Sequence, residues 1–451
     1  MTGRNVALLL LVLVAAVLGV RWWMKPLPIG PASSVAVTDL PPPHKPAIDL
    51  RAPDTIVDLD ATFRALDAHF AAHGIVVRPP LDAAAPDRLE KELPCALPPA
   101  VRRMYLWHDG INPMIPSYEW LPLAKVIDEY RFIKRIEREV GMLESMAWPR
   151  TFLPILRFDG QQHIAVDCAS PERAPMYFYF VQDGVPRAQY RGPGHFLAVT
   201  LTAFDTKAFD GRGGHLDPRP MLVREAFQRH ATPAELAVME ENWAAYERSL
   251  VGLEGQALGR QLSSGSEQPD PRAIPLLERY LADPDPKVVR GAAFALGQLQ
   301  AASSEPKLAG LLTHASPEVR NFAAGALSNM DTLASEATVD RLLAMLDDPN
   351  DLARLSAINA LGTSRRQRAV APLLERLRKV RPGIEVAIVL ALERIGDRSA
   401  LPQLRALQAD LAKMDLTIPN RGGFRGSDPP PASRKAAVEA AIAKIEAGPT
   451  S

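Results

Sequence analysis

The chain has 451 residues, with Lys plus Arg at 52 and Asp plus Glu at 52. That length allows about three domains, and the zero balance excludes a protein that coats nucleic acid through a global basic excess. Apolar residues at 47% exclude global disorder, two cysteines exclude a disulfide-rich scaffold, and 42 prolines, about twice ordinary usage, should mark linkers and helix starts. Arginine outnumbers lysine 40 to 12 and alanine is abundant, which fits a high-GC bacterial gene.

Residues 1–25 read as a membrane anchor. The apolar run Val6 to Val20 extends through Trp22, Trp23 and Met24 to 19 residues, with Arg21 snorkelling. At ~1.5 Å per residue this spans about 28 Å, just enough for a bilayer, and paired tryptophans suit the headgroup interface. The rival reading is a cleaved signal peptide, but its cleavage signal is poor: Ala32 and Ser34 lie too far past the apolar run. Arg4 before the span and Arg21 and Lys25 after it nearly cancel as orientation signals. A very short N-terminal tail leaves the usual default, an inner-membrane single-pass protein with its bulk in the periplasm. Residues 26–53 hold eight prolines, including Pro41-Pro42-Pro43, and read as a semi-rigid extended linker.

Residues 54–211 read as one α+β domain. Leu59, Phe63, Leu66 and Phe70 repeat at helical spacing within Asp58 to His73. A second helix opens at Pro98-Pro99, runs Val101 to His108 and stops at Asp109-Gly110. A third, Leu123 to Leu143, buries a stripe from Val126 to Leu143. Strands follow at Gln162 to Cys168, with Ile164, Val166 and Cys168 on one face, and at Pro175 to Gln182. Asp183-Gly184 turns the chain into a hairpin partner at Val185 to Tyr190. His195 to Phe209 closes the unit as a helix.

Several of these segments, taken in order, resemble the SUKH superfamily, the family of the yeast cell-wall-assembly regulator and of many bacterial toxin-immunity proteins. They are Leu93-Pro94, then Leu97-Pro98-Pro99-Ala100 through Trp107-His108-Asp109-Gly110, then Phe152-Leu153-Pro154-Ile155 with Gly160, then Met176 to Val181 with Asp183-Gly184 and the helix after Phe196. The stretch Asn112 to Trp120 matches the family's variable loop. The resemblance implies binding of protein partners and carries over no catalytic residues. In that loop Tyr118, Glu119 and Trp120 are candidate partner contacts, with Tyr118 and Trp120 either binding anchors or core residues.

The last 180 residues repeat. Leu-Leu pairs at 276, 311, 342 and 373 are spaced 35, 31 and 31, and Ala-rich helices end at 296, 327, 361 and 395, spaced 31, 34 and 34. Each unit is two helices, with proline at the start of the first or the turn before the second, and alanine on the second lets neighbours stack closely. Four units over Pro271 to Leu411, with a fifth interrupted by Asp415 to Pro431 and completed by Ala436 to Glu446, resemble short HEAT repeats of the kind also found in bilin lyases. Residues 269–447 are thus expected to form an all-α HEAT-like solenoid. Residues 212–268 form its helical connector or cap, with Leu236 to Leu262 read as helix.

Charge is uneven along the repeats. Glu267 to Ala360 holds 8 basic and 13 acidic residues, whereas Arg365 to Arg381 holds seven basic ones. Within that cluster Arg365, Arg366 and Arg368 are candidate partner contacts, set against the plainer reading of a solvated helix face.

Catalytic signals are weak. His69 and His73, four apart on a helix, are spaced to share a metal, but no third ligand is placed. Cys95 and Cys168 either pair, in an oxidising compartment, or stay reduced with Cys168 on a core face. His163 and Cys168 point to opposite faces of their strand. The glycines near 192–194 and 211–214 lack a nucleotide-binding context.

The expectation is a membrane-tethered bacterial protein-binding protein, not an enzyme, with no cofactor, metal or nucleic acid. Its partner would be a toxin held by the SUKH-like domain, or envelope proteins assembled on the solenoid. A bilin-lyase-like enzyme is a third reading, resting on repeat-level likeness alone.

Overall fold

The computed structural model describes residues 48–140, 147–158, 162–180, 185–211, 216–265, 270–330, 332–377, 379–413 and 431–448. The expected anchor, most of the linker, the Asp183-Gly184 turn and most of the Asp415 to Pro431 loop lie outside these residues. No helix among the described residues is long and apolar enough to cross a membrane. All of them belong to one compact unit, Lys45–Ser451, which takes in the last residues of the Pro-rich stretch.

The N-terminal half is an antiparallel sheet with helices on both faces. Helix α1 (Leu59–His73) starts where Asp58 accepts the Ala61 amide and ends on Gly74 at φ 67°, a left-handed turn that favours glycine. Strand β1 (Val76–Val77), the short α2 (Ala85–Leu89) and α3 (Pro99–Trp107) follow. The expected glycine stop of α3 is not how it ends: His108 is extended, and the Asp109 carboxylate accepts the Leu123 amide 2.8 Å away, capping the next helix. Gly110 (φ 108°) lies where a Cβ would meet the Trp120 carbonyl at 3.0 Å.

The stretch expected to be a variable loop is instead two strands, β2 (Ile111–Ile115) and β3 (Tyr118–Trp120). Its apolar residues face a core, so it behaves as sheet. Helix α4 (Leu123–Val140) then crosses to β4 (Phe152–Arg157), β5 (Gln162–Asp167), β6 (Met176–Phe180) and β7 (Arg187–Tyr190). All seven strands pair in sequence order, each antiparallel to the next. Strand alternation divides the side chains. Leu153, Ile164, Val166, Cys168 and Met176 join α1 and α3 in the main core, while Phe152, Ala165 and Tyr179 pack with Ile133 of α4 and Trp148.

Helix α5 (Pro193–Asp205) is almost wholly buried. It ends before the expected Phe209, which pairs in a two-stranded ribbon, β8 (Phe209–Asp210) with β9 (Asp217–Pro218). Cys95 and Cys168 are joined as a disulfide, with Cα atoms 6.1 Å apart.

Helix α6 (Pro220–Arg229) serves both halves. Ala226, Leu222, Val223 and Phe227 belong to the first core, and Met221 packs against the second. The expected single helix Leu236 to Leu262 is two, α7 (Pro233–Ser249) and α8 (Gly255–Ser264), broken at Gly252 with φ 76°.

The repeats then pair as helices α9 (Ala273–Tyr280) and α10 (Pro286–Gln298), α11 (Glu305–Gly310) and α12 (Pro317–Ser328), and α13 (Glu336–Ala344) and α14 (Asp351–Ser364). Further pairs are α15 (Val370–Leu377) with α16 (Pro382–Ile395), and α17 (Leu401–Ala412) with α18 (Pro431–Ala447). Proline occupies the first turn of α10, α12 and α16, where its missing N–H is no loss. One continuous core of Leu, Ala, Val and Ile runs from Trp243 to Ile445.

Candidate protein-binding surfaces

The second helices of the repeats stack at backbone contact. A Cβ on Gly297 would lie 2.5 Å from the Ala326 Cα, and one on Gly362 would lie 2.8 Å from the Ala391 Cα. Only small residues fit there; most larger apolar side chains of these helices, among them Val288, Leu296, Leu327 and Leu361, are buried in the core, and a separate stripe of side chains faces outward. On α10 that face carries Lys287, Arg290, Phe294 and Gln298, spaced at three and four residues along one stripe.

The outward faces connect from helix to helix. The Phe294 and Phe322 rings meet edge to face at 6.2 Å, and the Arg290 guanidinium lies 5.6 Å over the Phe322 ring. Asn329 donates to Gln298 at 3.0 Å, and Ser356 donates to Asn321 at 2.8 Å. Leu352 is 58% exposed, and Phe294 and Leu390 are also exposed. An apolar ribbon edged by amides and a hydroxyl therefore runs along α10, α12, α14 and α16. None of these residues was singled out from the sequence. The available signal was large apolar side chains lying off the alanine stripe.

The N-terminal domain offers a smaller surface. The C-terminal ends of β2, β4 and β6 and the starts of β3, β5 and β7 share one end of the sheet, because the strands alternate in direction. Exposed Phe158 follows β4 and exposed Val185 precedes β7, and the Tyr118 ring packs 5.7 Å from that of Phe158. Glu119 is engaged in a chain of charges behind this end: Arg157 reaches Glu119 at 3.2 Å and Glu129 at 3.0 Å, and Glu129 accepts from the buried His163 at 3.0 Å. Burial pushes the Glu129 carboxyl up, but His163 and Arg157 outweigh it and hold it below its usual range. Trp120, only 1% exposed, is core and presents nothing to a partner. Of the three sequence candidates here, Tyr118 and Glu119 are at the surface.

The basic cluster reads differently in three dimensions. Arg366 pairs with Glu336 at 3.1 Å, Arg368 with Glu336 at 3.1 Å and Asp340 at 2.6 Å, Arg376 with Asp347 at 2.7 Å and Arg381 with Asp351 at 3.1 Å. The acidic residues belong to the preceding repeat, so the acidic excess and the basic cluster neutralise each other across a repeat interface. Exposed pairs of this kind each contribute about 0–1 kcal/mol. Among the described residues of the cluster two make no such pair: Lys379 lies 3.6 Å from Glu375 of its own repeat, and Arg365, at φ 52°, closes α14 and is exposed.

A buried polar hub ties the modules together. Arg191 is 5% exposed and pairs with Glu235, which is wholly buried. Arg191 also donates to the Pro53 carbonyl at 3.1 Å, the Thr55 hydroxyl at 3.0 Å and the His230 carbonyl at 2.8 Å. Glu235 accepts the Asp49 and Thr232 amides at 3.0 and 2.7 Å. Asp54 accepts the Gly194 and His195 amides, each at 2.7 Å, at the start of α5. Burial raises the Asp54 carboxyl despite those bonds, and burial, with Arg191 nearby, pulls His195 down to about 4. The Arg191, Glu235 and Asp54 side chains are spent on holding residues 49–55, α5 and α7 together, whereas the His195 ring accepts the Arg191 amide and keeps its Nε2 buried without a hydrogen-bond partner among the described residues.

The remaining sequence candidates are structural. His69 bonds Asp205 at 2.9 Å and His73 bonds the His69 carbonyl at 2.7 Å. Among the described residues no group of three or more His, Cys, Asp or Glu is placed to hold a metal ion.

Comparison with known proteins agrees with this division. Residues 80–204 match the SMI1 / KNR4 family (SUKH-1), and residues 273–362 and 339–413 match HEAT repeats. A curated relative from Pseudanabaena tenuis, described as an uncharacterized phycocyanin operon protein Z, is 32% identical over 149 residues, which is 32% of this chain and 73% of that protein. Among solved structures, the Escherichia coli protein YibA is 20% identical with a TM-score of 0.35, over 50% of this chain and 76% of its own. A designed armadillo repeat protein is 20% identical with a TM-score of 0.32, over 44% of this chain and 98% of its own.

Proposed function

The chain belongs to the family of that phycocyanin operon protein and joins a SMI1/KNR4 (SUKH-1) domain to HEAT repeats; from this premise we propose that it is a membrane-tethered immunity protein that neutralises a cognate bacterial toxin. The observation that carries the reading is the SUKH-1 match over residues 80–204. Neutralisation by covering a toxin needs no bond chemistry, only a complementary surface with anchors. Tyr118 and Phe158 at the turn end of the sheet are suited to that role. The Cys95–Cys168 disulfide supports an oxidising compartment, hence a periplasmic bulk held by the anchor at Val6 to Met24.

A second reading, an envelope scaffold, is favoured by the apolar ribbon on the solenoid. One experiment separates the two. The fragment Lys45–Ser451 retains Asp49 and Pro53 in the hub and serves as bait on host-cell extract and on secreted toxins. Recovery of one toxin, with a deletion strain sensitive to it, supports immunity. Recovery of envelope machinery from an unsensitised strain replaces it with scaffolding. A periplasm-active reporter fused after Ser451 tests the orientation, and silence there puts the bulk in the cytosol.

A further inference from the structure

The outward face of α8, α10, α12, α14 and α16 is ordered in its chemistry as well as its geometry. Lys287, Glu318, Leu352 and Val386 recur at 31, 34 and 34 residues, the spacing of the helix ends, and so hold equivalent places on successive helices. Arg260, Gly291, Phe322, Ser356 and Leu390 form a second such row, at 31, 31, 34 and 34, with Gly291 buried where α10 meets Gly259 of α8 and the face carried there by Lys287, Arg290 and Phe294. Read along the stack, the face begins with cations (Arg260, Lys287, Arg290), continues with Phe294 and Phe322, and finishes with Leu352, Leu355 and Leu390.

The charge on this face is unbalanced. Its carboxylates are already engaged, Glu318 with Arg290 at 3.2 Å and Glu393 with Lys444 at 2.8 Å. Arg260 and Lys287 are exposed and have no acidic partner among the described residues. A nucleic acid or a lipid surface would want cations along the whole length, whereas here they are gathered at one end and the rest is apolar with side-chain amides. Helices packed 8–10 Å apart make four steps of about 32–40 Å from α8 to α16. An extended chain covers ~3.3 Å per residue, so about ten to twelve residues span the face.

We infer that this face binds an extended segment of a partner protein, acidic at the end that meets Arg260 and Lys287 and aliphatic or aromatic along the remainder. The inference deepens the protein-binding reading and rests on it, but not on the partner being a toxin. The test is selection of displayed random twelve-residue peptides on the full chain. Enriched sequences are expected to carry net negative charge toward one end and apolar residues toward the other. The best peptide should bind the double variant R260E/K287E at least tenfold more weakly, and L352S about tenfold more weakly, with melting temperatures unchanged because all three residues are exposed.

Enrichment of neutral or basic peptides overturns the proposal. So does equal affinity for both variants, or capture of anionic phospholipid vesicles in preference to any peptide. A deletion strain that stays resistant to every toxin overturns the immunity reading alone and leaves the peptide result standing.

Discussion

Replacing Glu235 with alanine should loosen the junction between the two modules. The wholly buried carboxylate accepts the Asp49 amide, the Thr232 amide and the Arg191 guanidinium, so one side chain links three segments. Its loss leaves Arg191, 5% exposed, with neutral acceptors in place of its counter-charge. Removing one partner of a buried pair lowers stability by about 3–5 kcal/mol, because the other charge stays buried. Loss of the Thr232 capping box adds to this at the start of α7.

The assay is urea unfolding of the Lys45–Ser451 fragment, with amide exchange at residues 49–55 read in parallel, since a chain of two modules need not unfold in one step. Exchange there should rise by two to three orders of magnitude, about 1.4 kcal/mol per tenfold. The double variant R191M/E235L removes both charges and should be milder than the sum of its singles. A loss under about 1 kcal/mol for E235A would refute the hub as the lock between modules. The pH dependence has a definite sign. Burial raises the Glu235 carboxyl, but the Thr232 and Asp49 amides and Arg191 outweigh it and hold it below the usual range. The pair's contribution is therefore complete above the unfolded carboxylate range and is lost as pH falls through the lowered folded value.

Further predictions concern other parts of the fold. His195 is held down to about 4 by burial, so the unfolded chain takes up its proton first, and acidification from about pH 6.5 to 4 should remove about 3 kcal/mol. His195→Asn, which keeps an acceptor for the Arg191 amide, should flatten that part of the stability profile; Asp54, raised by burial, titrates in the opposite sense in both proteins. Cys168→Ser opens a link between residues 73 apart and should lower stability by about 4 kcal/mol, and alkylation of either thiol without a reductant would count against the bond. Gly297→Ala should destabilise by about 1–3 kcal/mol because its Cβ meets the Ala326 backbone, whereas Gly310→Ala, with nothing within 4 Å, should be neutral or stabilising in the same melt.

Much of the solenoid is legible in the sequence alone. Proline in first turns, paired leucines and alanine stripes are local signals, and a repeat makes each of them recur at one spacing. The first domain was harder. Strands β2 and β3 lie where a loop was expected, because Pro113 and Pro116 punctuate a stretch whose apolar residues find their partners only across the sheet. Sequence alone leaves Trp120 open between binding anchor and core residue, and its burial depends on β3 lying between β2 and β4.

By itself, then, the sequence determined the order of the modules, the two-helix period and the shared face of Ile164 and Val166 in β5 and of Cys168 just after it, since these follow from spacing along one element. Tertiary structure alone decided that the basic cluster cancels the acidic repeat before it, that Arg191 and Glu235 lock residues 49–55 to both modules, and that Arg260 and Lys287 remain unpaired among the described residues beside an apolar ribbon. Whether a charge is free or spent depends on what lies across an interface, one repeat or more than a hundred residues away, and no spacing within a single element carries that information.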